Sequence, residues 1–163
     1  MTDSERDTDV LLLLMTVVPQ WEEVERVRTA VHACLVAPYD VEIADAVSMA
    51  AAELAENGVK YGTGGDVIIA LRELPGAVEV SVTNDTLASG SLEAKVAWIR
   101  ERESPEEAYR QALEGVVLAG IVQSGGLGLV RIVYEGGCEL AVDQQGGRVT
   151  VRAKRTVPLR GVA

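Results

Sequence analysis

The sequence predicts one two-layer α/β domain, with helices on one face of a mixed, mainly antiparallel sheet. Two stretches in which apolar and polar residues alternate meet across two-residue turns, Pro75-Gly76 and Gly146-Gly147, and read as hairpins. Two amphipathic stripes with apolar residues three and four apart follow one another between Pro19 and Gly62 and read as helices. A strand-length apolar run, Val10 to Val18, stands in front of both. At 163 residues the chain suffices for one such domain, burying roughly two thirds of the surface that its unfolded form exposes.

In chain order, Met1 to Asp9 is polar and acidic and is expected to be a mobile tail, with the domain over 10–157 and a second short tail over 158–163. Val10 to Val18, ended by Pro19, is expected to be a strand buried on one face and partly covered on the other. The first helix carries Trp21, Val24, Val27, Val31, Cys34 and Leu35 inward, with His32 beside that stripe as a structural imidazole. The second starts at Asp40, an acceptable N-cap, and runs through Ile43, Val47, Ala50 and Leu54 to Gly62.

After the Gly62-Thr63-Gly64-Gly65 loop, Asp66 to Leu74 and Ala77 to Asn84 form the first hairpin, with Val78, Val80 and Val82 facing in. Two helices are expected at Ser91 to Glu103 and Ser104 to Val122, the latter opened by Ser104, Pro105 and Glu107 as a capping box. The glycine-rich break Gly125-Gly126-Leu127-Gly128-Leu129 leads into a short helix through Val130 to Tyr134, stopped by Gly136-Gly137. Cys138 to Asp143 and Arg148 to Arg155 form the closing hairpin, with Val149, Val151 and Ala153 inward. The basic residues Arg148, Arg152, Lys154, Arg155 and Arg160 read as the solvated face of an edge strand.

A formal net charge of -10 disfavours nucleic acid and anionic membrane as partners. Cys34 and Cys138 are too few for a disulfide scaffold, lack metal-ligand spacing, and read as buried thiols of a reducing compartment; His32 adds no second nitrogen ligand. The longest apolar run falls far short of the ~20 residues of a membrane helix, so the expected location is the cytoplasm.

Chemistry concentrates on the second helix. At ~100° per residue Glu53, Asn57 and Lys60 fall within about 60° of one another and about 80° from the apolar stripe, on the rim of the buried face. A carboxylate can deprotonate a nucleophile, an amide oxygen can complete a Mg²⁺ shell, and an ammonium can neutralise phosphate. The loop at Gly126, Leu127 and Gly128, opening into a helix, lets backbone N–H groups approach an anion.

The stretch Glu53-Leu54-Ala55-Glu56-Asn57-Gly58-Val59-Lys60-Tyr61-Gly62 resembles the N-box of GHKL (Bergerat-fold) proteins, and Gly125-Gly126-Leu127-Gly128-Leu129-Val130 resembles their G2 box, in the same order. The likeness runs from about Val10 to Val157, and the compact form is similar to serine kinases of the anti-sigma-factor type, with the insert from Leu92 to Val122, in place of the ATP lid, resembling the SiaB-like protein-kinase branch. The resemblance implies ATP and Mg²⁺ as cofactors, Glu53 as catalytic base, Asn57 as Mg²⁺ ligand, Lys60 as a phosphate contact, and Gly126, Leu127 and Gly128 around the phosphates. It implies a serine/threonine protein kinase or anti-sigma-like regulator of a partner-switching system. Its partner would be a STAS-type anti-anti-sigma-like protein, in a pathway with a sigma factor or a PPM-type phosphatase, and the chain would form a homodimer.

One departure stands at the G1 box, where the family has Asp-x-Gly for adenine and this chain has Val82-Thr83-Asn84-Asp85-Thr86. Strand parity turns Asn84 towards the helices, as the positional substitute for the aspartate, and Asp85 away. A neutral acceptor in place of a charged one is weaker by on the order of 1 kcal/mol, about five- to tenfold in affinity. Ser124 replaces the first G2 glycine. The alternative is a non-catalytic interaction module on a degenerate form of the same fold.

Overall fold

The computed structural model describes residues 9–87, 89–119 and 126–158. The expected tails, apart from Asp9 and Pro158 and so including Arg160, lie outside the described residues, as do Ser124, Gly125 and the expected helix end over 120–122. Ten elements follow in the order β1 (Val10–Val17), α1 (Trp21–Leu35), α2 (Val41–Tyr61), β2 (Val67–Leu74), β3 (Ala77–Asp85), α3 (Ser89–Arg100), α4 (Pro105–Ala119), α5 (Gly126–Tyr134), β4 (Glu139–Gln145) and β5 (Arg148–Thr156).

The strands form one open sheet in the order β1-β2-β3-β5-β4. Every pairing is antiparallel, which corrects the expectation of a mixed sheet. The reason is connective: β2-β3 and β4-β5 are hairpins, and two helices between β1 and β2 return the chain in the reverse direction, where a single crossover helix gives a parallel pair. A second correction concerns β5, which lies between β3 and β4 and is no edge strand. Its cations are used across the strands: Arg152 pairs with Asp143 and with Glu79 (3.9 Å), Lys154 with Glu139 (3.7 Å) and Arg148 with Asp85 (3.5 Å).

One core joins the layers. From the sheet it takes Val17, Val67, Ile69, Leu71, Val78, Val80, Val82, Leu140, Val149, Val151 and Ala153, the alternate residues that parity selects. From the helices come Val27, Val31 and Leu35 of α1, the Ile43, Val47, Ala50 and Leu54 stripe of α2, Val96 and Ile99 of α3, and Leu129 and Ile132 of α5. Helix α2 packs on β2, β3 and β5, and so runs over the middle of the sheet. The opposite face carries Arg72, Glu79, Thr150, Arg152 and Lys154, with Thr83 and Thr150 hydroxyls 2.7 Å apart.

The ends of the first elements depart from expectation. On β1 the outer face is open rather than partly covered among the described residues, with Leu11 51% and Leu14 60% exposed. Trp21, expected to face inward, is 56% exposed in the first turn of α1, whereas Val27 and Val31 are buried. The Asp40 side chain makes no cap hydrogen bond, whereas Ser104 does cap α4, accepting from the Glu107 N–H at 3.1 Å. Glu107 turns instead to Arg110 and Gln111, which hold its carboxyl down at about 2. His32 joins Asp45 across the α1-α2 seam at 2.9 Å, the structural use expected of it. Cys138 is buried, and burial pushes its thiol up to about 11, while Cys34 is only partly buried.

Candidate functional site

The candidate site is built where α2 meets the start of α5. Glu53 sits on the α2 rim with its side chain 17% exposed. Its carboxylate lies directly against Gly128: a Cβ on that residue would overlap Glu53 Oε2. A side chain at 128 would therefore displace the Glu53 carboxylate, and it is this contact rather than backbone conformation that glycine serves here. The other oxygen, Oε1, accepts from Arg131 Nη1 at 2.9 Å. Arg131 stands one helical turn beyond Gly128 and also gives its Nε to Glu135 at 3.1 Å.

Burial raises the Glu53 pKa above the ordinary carboxyl value, and repulsion from Glu56 adds to this; Arg131 opposes both, and Glu135 adds a smaller push upward. A carboxylate raised in this way is a better proton acceptor near neutrality than a solvated one. Helix α5 begins at Gly126, four residues before the expected Val130. Gly126, Leu127 and Gly128 are thus helical and form the first described turn of α5. Leu127 is half-buried and packs against the core.

Asn57 lies one turn after Glu53 on α2 and is half-buried; Lys60, near the helix end, is exposed. The Lys60 ammonium lies 5.4 Å from the centroid of the Tyr61 ring. Lys95 of α3 reaches the same ring, also at 5.4 Å. Sequence reading missed Lys95, since nothing in the spacing ties the insert to Tyr61. Among the described residues neither ammonium pairs with a carboxylate, whereas Arg26, Arg28, Arg102, Arg110, Arg131, Arg148, Arg152, Lys154 and Arg155 all do. In a chain of net charge -10 this end of α2 is a local positive spot.

Asn84 and Thr86 close the far side, where α2 ends. Asn84 turns inward as parity requires, 7% exposed, pairing with Val149 in register. Its Oδ1 lies against Gly58 and its Nδ2 donates to Asp85 O at 3.2 Å. Thr86 is 2% exposed and its hydroxyl donates to Tyr61 O at 2.8 Å. The backbone adds a bridge between Gly62 and Thr86, and Thr63 N–H donates to Asp85 O at 3.0 Å. Thr86 thus satisfies a carbonyl that the last turn of α2 leaves without a helical donor. Gly58 permits the approach of α2 to the sheet, since a Cβ there would stand 3.3 Å from Val67 Cγ1. Thr86→Val keeps the shape and removes the bond. It is expected to cost about 1–2 kcal/mol, read as a lower denaturation midpoint at unchanged slope; an unchanged midpoint would remove Thr86 from this capping role.

Compared with known proteins, the chain matches no family model and no curated protein sequence. The geometry accordingly carries the functional argument. Glu53, Gly128 and Arg131 are brought together, Asn57 follows on the same helix edge, and Lys60 stands beside Tyr61 with Lys95. Asn84 lies across the end of α2, against Gly58 and Gly62, rather than at Glu53.

Proposed function

We propose that this chain binds ATP with Mg²⁺ along the Glu53–Lys60 edge of α2 and the first turn of α5. It would act as a serine/threonine protein kinase or anti-sigma-like regulator whose partner is a STAS-type protein. The observation that carries the reading is the direct approach of Glu53 to Gly128. Two segments 75 positions apart in sequence meet, with the Glu53 carboxylate on one side and Gly128, in the first described turn of α5, on the other.

The residues present suit the group. The amides of Gly126, Leu127 and Gly128 suit phosphate oxygens, and Lys60 adds a cation. The Asn57 side-chain oxygen suits Mg²⁺, a hard cation that takes few protein ligands and keeps phosphate and water oxygens. Nucleotide bound there supplies the phosphoryl group, and the metal offsets its charge. Glu53 would accept the proton of the substrate hydroxyl as that oxygen forms its bond to phosphorus and ADP leaves. Asn84 would offer its amide oxygen to the adenine amine, at the reduced strength of a neutral acceptor.

Specific observations favour a second reading, a non-catalytic binding module. Glu53 is already held by Arg131, and Thr86 fills with a structural hydroxyl the place where a glycine would leave space beside α2. Incubation with γ-labelled ATP, Mg²⁺ and a purified STAS-type protein separates the two. The kinase reading expects label on a serine or threonine of that partner. A stable complex without label supports the module, and neither label nor complex contradicts both.

A further inference from the structure

We infer that Arg131 is the positioning residue for Glu53, and that it fixes Oε2 as the oxygen that accepts the proton. The inference rests on the reading of Glu53 as base and goes beyond it by dividing the carboxylate's two oxygens.

The guanidinium lies in the middle of a three-residue chain, Glu53–Arg131–Glu135, with contacts of 2.9 and 3.1 Å. Glu135 follows Arg131 by one turn on α5 and ties Nε, which fixes the plane of the fork and leaves Nη1 to reach α2. Arg131 thereby spans two helices, and its pair with Glu53 closes a separation of 78 residues in sequence. Glu53 is the more buried partner, 17% exposed against 39% for Arg131 and 40% for Glu135. A half-buried carboxylate on a flexible two-carbon stem needs a partner to hold one rotamer, and that partner here is Arg131.

The consequence is asymmetric. Oε1 is occupied by Nη1, whereas Oε2 faces Gly128 at the opening of the α5 N-terminus. Oε2 is the oxygen that lies against Gly128, one of the residues proposed to hold the phosphates, so the proton from an attacking hydroxyl goes to that atom. Lysine at 131 keeps the charge but has a single point of attachment and cannot serve Glu53 and Glu135 with a planar fork. The contact also differs from a phosphate clamp: Arg131 is spent on two carboxylates and acts through one of them.

The test uses the full chain with ATP, Mg²⁺ and a STAS-type substrate, and compares wild type with Arg131→Met, Arg131→Lys and Glu135→Gln, each checked for folding by its thermal melt. The expected result for Arg131→Met is a kcat lower by about 10²-fold, as for a group displaced by about 1 Å, with KM for ATP within about twofold of wild type. Arg131→Lys should restore part of kcat, and Glu135→Gln should lower it less than Arg131→Met does. A kcat unchanged in Arg131→Met overturns the assignment, and so does a raised KM for ATP at constant kcat, which would make Arg131 a phosphate contact. If wild type binds nucleotide but transfers no phosphate, or binds none, the kinase reading fails and this assignment with it.

Discussion

Glu53→Gln is expected to lower phosphotransfer by about 10²–10⁴-fold while nucleotide binding stays within a few-fold of wild type. General-base catalysis is worth that factor, and an amide of the same shape keeps the hydrogen bond from Arg131 without accepting a proton. The geometry sharpens the expectation. Glu53 Oε1 is held by Arg131 and Oε2 abuts Gly128, so glutamine can occupy the same space with its oxygen on Arg131 and its nitrogen towards α5. Removal of the charge also lifts the repulsion from Glu56 that helps to raise the Glu53 pKa, so the variant should fold at least as well. Equal turnover in both proteins, measured as phosphate incorporated at saturating ATP, would remove Glu53 from the role of base.

Gly128→Ala is expected to separate activity from stability in the opposite direction to most substitutions. Alanine is the better helix former by about 1 kcal/mol, and α5 adopts no positive φ that would favour glycine at 128. The new methyl would overlap Glu53 Oε2, the far end of a flexible side chain, so the carboxylate gives way instead of the backbone. Glu53 then leaves Arg131 or is turned from the α5 N-terminus. Phosphotransfer should fall by about 10²-fold, with a thermal midpoint equal to or above that of wild type. A large loss of stability with activity per folded molecule unchanged would mean that the contact serves packing alone.

Much of the fold was legible because its signals are local. Val78, Val80 and Val82, and Val149, Val151 and Ala153, alternate without interruption, and both hairpins stand where their glycine turns suggest. The α2 stripe was equally plain, and Ile43, Val47, Ala50 and Leu54 are all buried. What escaped depends on partners distant in sequence. Hairpin patterns do not say which strand of the closing pair faces β3, so β5 was read as an edge although it lies inside the sheet. The glycines at 126 and 128 each cost helix propensity and read as a break, yet packing of Leu127, Leu129 and Ile132 on the core carries α5 back to Gly126.

The site divides in the same way. The spacing of Glu53, Asn57 and Lys60 was readable as one edge of a helix, and Gly128 stood out for its lack of a side chain. Neither residue implies the other's position; their contact is supplied by α2 and α5 packing together. Arg131 offered no signal beyond lying three residues after Gly128, and Thr86 looked only like a missing glycine until its hydroxyl met Tyr61 O. In both cases the deciding bond links helix α2 to a residue far along the chain.

Titration calorimetry of the full chain with ATP and Mg²⁺, repeated on Asn57→Ala, tests most directly whether the α2 edge and the α5 N-terminus hold one triphosphate. Saturable heat that requires Mg²⁺ in wild type and disappears in the variant is the predicted result. Silence at millimolar nucleotide, or identical metal-dependent heat in both proteins, would contradict it.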